Sequence, residues 1–119
     1  MDGIRVRLDR CDTVTVVRVR GEVERDTATR LRAELDRALA LEAAKRVVVD
    51  LSGVPLLDAA GVAVLQDAAD TASAGAVDFR VAGARPYVAR ILAISGLAHL
   101  LTRGLANHRA VAVAGCGSD

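Results

Sequence analysis

The chain has 119 residues, 52% of them hydrophobic, which suits one domain burying roughly two-thirds of its unfolded surface around a single core. Lys and Arg number 16 against 15 Asp and Glu, and Phe79 and Tyr87 are the only aromatics, so neither a global field nor a stacking platform favours nucleic acid. No apolar run approaches the roughly 18 residues of a membrane span, and residues 1–9 lack the apolar stretch of a signal peptide, which predicts a soluble, cytoplasmic protein without membrane insertion.

With so few aromatics the core must be built from Ala, Val and Leu packed between regular elements, which favours α/β layers. Ile4, Val6 and Leu8 alternate with Arg5, Arg7 and Asp9, and a second alternation follows over 14–20, predicting an N-terminal β-hairpin. Its arginines, Arg5, Arg7, Arg18 and Arg20, read most simply as edge charges that block strand-to-strand aggregation, with a basic docking patch as the alternative.

Asp26 or Thr27 is placed to cap a helix whose apolar positions Ala28, Leu31, Leu35, Ala38 and Leu39 recur at helical spacing. The β-branched run at 47–51 has the character of a central strand buried on both faces. Ser52, Gly53, Val54 and Pro55 interrupt it, and a second helix is expected from Ala59 or Ala60, carrying Val62, Leu65 and Ala69 inward until Gly75. Residues 78–82 return as a strand, and Pro86 opens a third helix through Val88, Ile91 and Leu92 that ends at Ser95 and Gly96.

A short last strand is expected within 97–102. Beyond it, Asn107 is a good N-cap while Val111 and Val113 alternate with alanines, so propensity leaves helix and strand both open. The element order implies right-handed crossovers around a mostly parallel sheet. With no internal repeat and no linker, residues 1–119 are expected to form one domain, ending in a flexible tail from about 115.

Catalytic chemistry is hard to assemble from His99, His108, Cys11, Cys116 and scattered carboxylates, and no phosphate-binding loop, zinc-binding helix or nucleophile elbow is present. The dispersed Cys and His suggest no metal site, and no cofactor is implied. Cys11 and Cys116 fall in no paired motif; ordinary reduced thiols are the plain expectation, and a redox pair stays open.

Residues 47–65, VVVDLSGVPLLDAAGVAVL, carry an acidic residue and a glycine where a strand gives way to a helix. Backbone N–H groups at a helix start are unpaired and partly positive, so Asp58 suits an N-terminal cap, and on its own nothing more. This segment resembles the STAS domain family of bacterial anti-sigma factor antagonists, whose signature is a buried strand, a loop and D-S-S-G at a helix start. Here the motif is D-A-A-G, Asp58 to Gly61. Further landmarks follow in order: Gly21, Glu22 and Val23 with Thr27 and Ala28, then Asp50, Leu51 and Ser52, then Pro86, then Ser95, Gly96 and Leu97.

The resemblance implies a single α/β domain with an N-terminal hairpin, a mixed, mostly parallel sheet of four to five strands and about four helices, the last running from Asn107 through Val113. It implies a non-enzymatic module that binds a kinase-type anti-sigma factor and so releases a sigma factor. Glu24, Asp58, Ala59, Ala60 and Gly61 are the partner-binding positions carried over; Glu24 stands where relatives often have Asp. In the family the first serine of D-S-S-G is phosphorylated by the partner, and a phosphate there adds about −1.5 to −2 charge beside an existing Asp, opposing docking. Ala59 occupies that position, so the phosphoacceptor is missing. Ser52, Thr71 and Ser73 are the nearest hydroxyls in sequence, and none obviously replaces it.

Two other functions remain in view at this level. Some STAS domains that resemble this one bind the ATPase of a lipid-trafficking ABC transporter. A nucleotide-binding or enzymatic α/β protein using helix N-termini for an anion is a third option, weakened by the missing glycine-rich loop.

Overall fold

A computed structural model of the protein describes residues 3–41 and 44–102. Strands β1 (Arg5–Cys11) and β2 (Val14–Arg20) form the expected hairpin, followed by α1 (Arg25–Leu39), β3 (Arg46–Gly53), α2 (Ala59–Ala74), β4 (Asp78–Ala82), α3 (Pro86–Ile94) and a 3-10 turn at Ala98–Leu100. The sheet order is β1-β2-β3-β4, with the first pair antiparallel and the others parallel. The hairpin reverses through Asp12, whose φ of 55° lies in the left-handed region that Asp tolerates.

Each crossover steps the same way across the sheet, so right-handed connections put α1, α2 and α3 on one face. Val17, Val19, Val47, Val49, Leu51 and Val81 point into that layer and share one core with Leu31, Leu65 and Leu92 of the helices. Strand alternation sends Asp9, Arg18, Asp50 and Asp78 to the opposite face.

Several boundaries differ from expectation for local reasons. Helix α1 begins at Arg25 with Glu24 as its N-cap, where Asp26 or Thr27 was expected to cap it. Thr27 acts from inside the first turn: its Oγ1 accepts the Glu24 N–H at 2.9 Å and donates to the Glu22 carbonyl at 2.8 Å. In α2 the fully buried stripe is Gly61, Val64, Leu65, Ala68 and Ala72; Val62 and Ala69 flank it, half-buried. A helix this rich in alanine has little contrast between its faces, so its orientation is set by the neighbouring elements.

The expected strand within 97–102 is instead the 3-10 turn plus one parallel bridge, Val81 to Leu101. Leu97 and Leu100, three residues apart, are both buried, which is the spacing of a tight turn and not of a strand. The four hairpin arginines also divide. Arg5 and Arg7 lie on the edge strand β1, but Arg18 and Arg20 lie on β2, between β1 and β3, where no edge needs blocking. The expected helix from Asn107 through Val113, the tail from about 115, and Cys116 fall outside the described residues.

Candidate functional site

The loops that follow β2 and β3 leave the same end of the sheet and are stitched together there. Val23 N–H donates to the Leu56 carbonyl at 2.9 Å, and Asp58 N–H donates to the Val23 carbonyl at 3.0 Å, a short parallel bridge between Val23 and Leu57. Gly21 makes the first loop possible. Its φ is 112°, and a Cβ there would stand 2.8 Å from the Gly3 carbonyl.

The stitch brings Glu24 beside Asp58, two of the residues singled out from sequence. Asp58 is the N-cap of α2, its Oδ1 accepting the Ala60 N–H at 2.9 Å and the Gly61 N–H at 3.2 Å. Gly61 is buried where the two loops converge: a Cβ would lie 2.5 Å from Leu57 Cδ1 and 2.8 Å from Val23 Cγ1. Ala60 is half-buried against the core, whereas Ala59 is exposed on the first turn of α2. The five positions thus form one rim, with Gly61 holding it together from beneath.

Two acidic residues join this rim that sequence reasoning had not assigned to it. Glu22 and Asp26 are exposed next to Glu24, and together the three line an open groove of about 750 Å³ with Thr27 and Arg30. The crowding is felt at Glu24. A hydrogen bond with the Glu22 carboxyl is the largest of the influences that raise its pKa above the usual Glu range, followed by desolvation and by the negative charges of Glu22, Asp58 and Asp26. Such a rim gains from a cationic side chain set against it. The sequence signal was available in Gly21-Glu22-Val23-Glu24, but only the Val23–Leu57 bridge shows that this loop and the α2 start are one surface.

The other candidates are dispersed. Ser52 is exposed near the end of β3, where its N–H donates to Asp50 at 2.9 Å and its carbonyl accepts from Arg85 at 3.0 Å. Thr71 and Ser73 are exposed on the far half of α2. Among the described residues no three His, Cys, Asp or Glu side chains are grouped to hold a metal ion, and no helix is long and apolar enough to cross a membrane.

Comparison with known proteins agrees with this architecture. The chain is 23% identical over 95 residues to the anti-sigma F factor antagonist of Paenibacillus polymyxa, covering 80% of this chain and 81% of that one. The structure of an anti-sigma factor antagonist from Mycobacterium paratuberculosis superposes with a TM-score of 0.79 at 25% identity, covering 92% and 93% of the two chains. The murine anion transporter Slc26a9 contains the same fold, with a TM-score of 0.74 and 13% identity over 96% of this chain but 22% of its own. The STAS domain model matches residues 5–112, and the chain belongs to the STAS domain family.

Proposed function

We propose that this protein is an anti-sigma factor antagonist that works as a binding module and not as an enzyme, docking in the cytoplasm on a kinase-type anti-sigma factor through Glu24, Asp58, Ala59, Ala60 and Gly61. Ala59 carries the proposal. It is exposed on the first turn of α2, on a rim whose cap and loop stitch are intact, and its methyl offers no oxygen to phosphorylate. A phosphate there would meet Asp58, Glu24 and Glu22 and would have to be desolvated on docking. With alanine, the surface keeps the charge of the unphosphorylated state at all times.

The test is co-purification with a kinase-fold anti-sigma factor, followed by addition of ATP and Mg²⁺. A complex that survives ATP supports the proposal; absence of such a partner, or a complex that dissolves with ATP, overturns it. Ala59→Ser extends the test, because a kinase partner should then add phosphate to this chain and release it. The fold also occurs within the Slc26a9 anion transporter, so capture of a transporter subunit in place of a kinase-fold protein would reassign the surface.

A further inference from the structure

The hairpin register sets arginine against arginine. Arg5 of β1 stands opposite Arg20 of β2, and Arg7 stands opposite Arg18, both pairs on the sheet face turned away from the helices. Directly opposed side chains start about 5 Å apart, and like charges at that spacing destabilise a strand pair. One pair is compensated: Asp9 holds Arg18 at 2.9 Å and Arg7 at 3.3 Å, and Asp50 holds Arg18 at 3.0 Å. The other is not, since among the described residues neither the Arg5 nor the Arg20 guanidinium has a hydrogen-bond or ion-pair partner. Nor does Arg20 guard an edge, because β2 pairs with Arg5 on one side and with Gly53 of β3 on the other.

We propose that Arg5 and Arg20, backed by Arg7 and Arg18, bind the phosphate group of a phosphomonoester. The four side chains line a cleft of about 440 Å³, and no carboxylate of the described residues lines it with them. That volume falls within the range of small-molecule sites. Charge selects the ligand class. Asp9 and Asp50 offset two of the four positive charges, which leaves those of Arg5 and Arg20 facing the cleft. A phosphomonoester carries about −1.5 to −2 at neutral pH and matches them, whereas a single carboxylate would leave half of the charge unmatched.

The geometry suits phosphate as well. Guanidinium groups meet phosphate oxygens as paired N–H donors, and Arg18 is fixed in place by its two aspartates before any ligand arrives. Arg5, Arg7 and Arg20 are exposed and accessible from solvent. Arg5 and Arg20 also border a wider groove, about 860 Å³, that runs past Gly3 and Gly21 to Arg30 and has room for the organic part of the ester. The acidic side chains Glu22, Glu24 and Asp26 line the neighbouring groove and not this one.

The test uses the full chain alone and does not depend on the anti-sigma factor proposal. Inorganic phosphate, exchanged for chloride at constant ionic strength, should shift the amide signals of Arg5, Arg7, Arg18 and Arg20 saturably. Arg5→Gln and Arg20→Gln should each weaken that binding roughly fivefold or more, while Arg90→Gln, at an exposed arginine of α3, should not. The first two variants remove a repulsive charge, so their urea midpoints should equal or exceed the native value, which separates lost binding from lost folding. Phosphatidylcholine vesicles carrying phosphatidic acid identify the source. Co-sedimentation that Arg20→Gln abolishes assigns the site to a lipid headgroup; phosphate binding without co-sedimentation assigns it to a soluble ester. A response that never saturates, an equal loss in Arg90→Gln, or shifts centred away from the hairpin would each overturn the proposal.

Discussion

Arg18 and Asp50 meet at 3.0 Å across β2 and β3, and Asp50, 6% exposed, is the buried carboxylate of the sheet. Its second oxygen accepts the Ser52 N–H at 2.9 Å, so this one side chain joins β2 to the start of the loop that leads to α2. Gly83 packs close to the same carboxylate, where a Cβ would lie 2.9 Å from Oδ1. Removing Arg18 leaves a buried charge short of a partner. Arg18→Met is expected to lose about 1–3 kcal/mol, measured as a shift in urea midpoint at constant slope. An unchanged midpoint would show that the pair is energetically silent.

Acid should loosen the same network. Burial tends to raise the pKa of Asp9, but its hydrogen bonds to Arg18 and Arg7 and their charges outweigh it, and the net effect holds the carboxyl below its usual range. A depressed folded-state pKa means that the stabilisation is complete above the ordinary Asp range and is lost as pH falls through the lower, folded value. Stability followed from pH 6 downward is expected to drop more steeply in the native protein than in Arg18→Met. Identical slopes would remove Asp9 as the responsible group.

Much of the fold was legible because strand alternation and helix periodicity are local signals. The hairpin, the strand at Asp78–Ala82 and the start of α3 at Pro86 fall where the sequence placed them. The misjudged features turned on how individual side chains are used, which alternation and periodicity do not encode. The N-cap at Glu24 is set by Thr27 folding back onto the Glu22 carbonyl, and the last segment became a turn because Leu97 and Leu100 are buried together. In the candidate site, Asp58 to Gly61 came from the resemblance to D-S-S-G, whereas the grouping of Glu22 and Asp26 with them depends on the Val23–Leu57 bridge.

Gly61→Ala tests whether that bridge positions the rim. The added methyl would meet Leu57 and Val23 side chains at 2.5 and 2.8 Å, forcing the two loops apart. An overpacked contact of this kind costs about 1–3 kcal/mol. The variant is expected to be less stable and to bind its partner more weakly than its folded fraction explains. Loss of binding that merely tracks the folded fraction would make Gly61 a packing residue alone.

Asp58 has two separable duties, capping α2 and contributing charge to the rim. Asp58→Asn keeps an acceptor for the Ala60 and Gly61 N–H groups, whereas Asp58→Ala removes it, at an expected cost of about 1 kcal/mol. If charge guides docking, both variants should associate more slowly with the partner, and their rates should depend less on salt than that of the native chain. Native association rates in Asp58→Asn would assign Asp58 to capping only.

Replacing Ala59 by Glu sets stability against binding. The new carboxylate would sit in the first turn of α2, where unpaired N–H groups and the helix dipole favour negative charge by about 0.3–1 kcal/mol, offset in part by repulsion from Asp58. Stability should therefore change little. Affinity for a partner that docks on this rim should fall at least tenfold, because the added charge is buried at the contact and lies beside Asp58 and Glu24. Ala59→Gln, with similar size and no charge, should retain most of the affinity. Equal losses in the two variants would point to steric exclusion, and no loss in either would place the docking surface elsewhere on the domain.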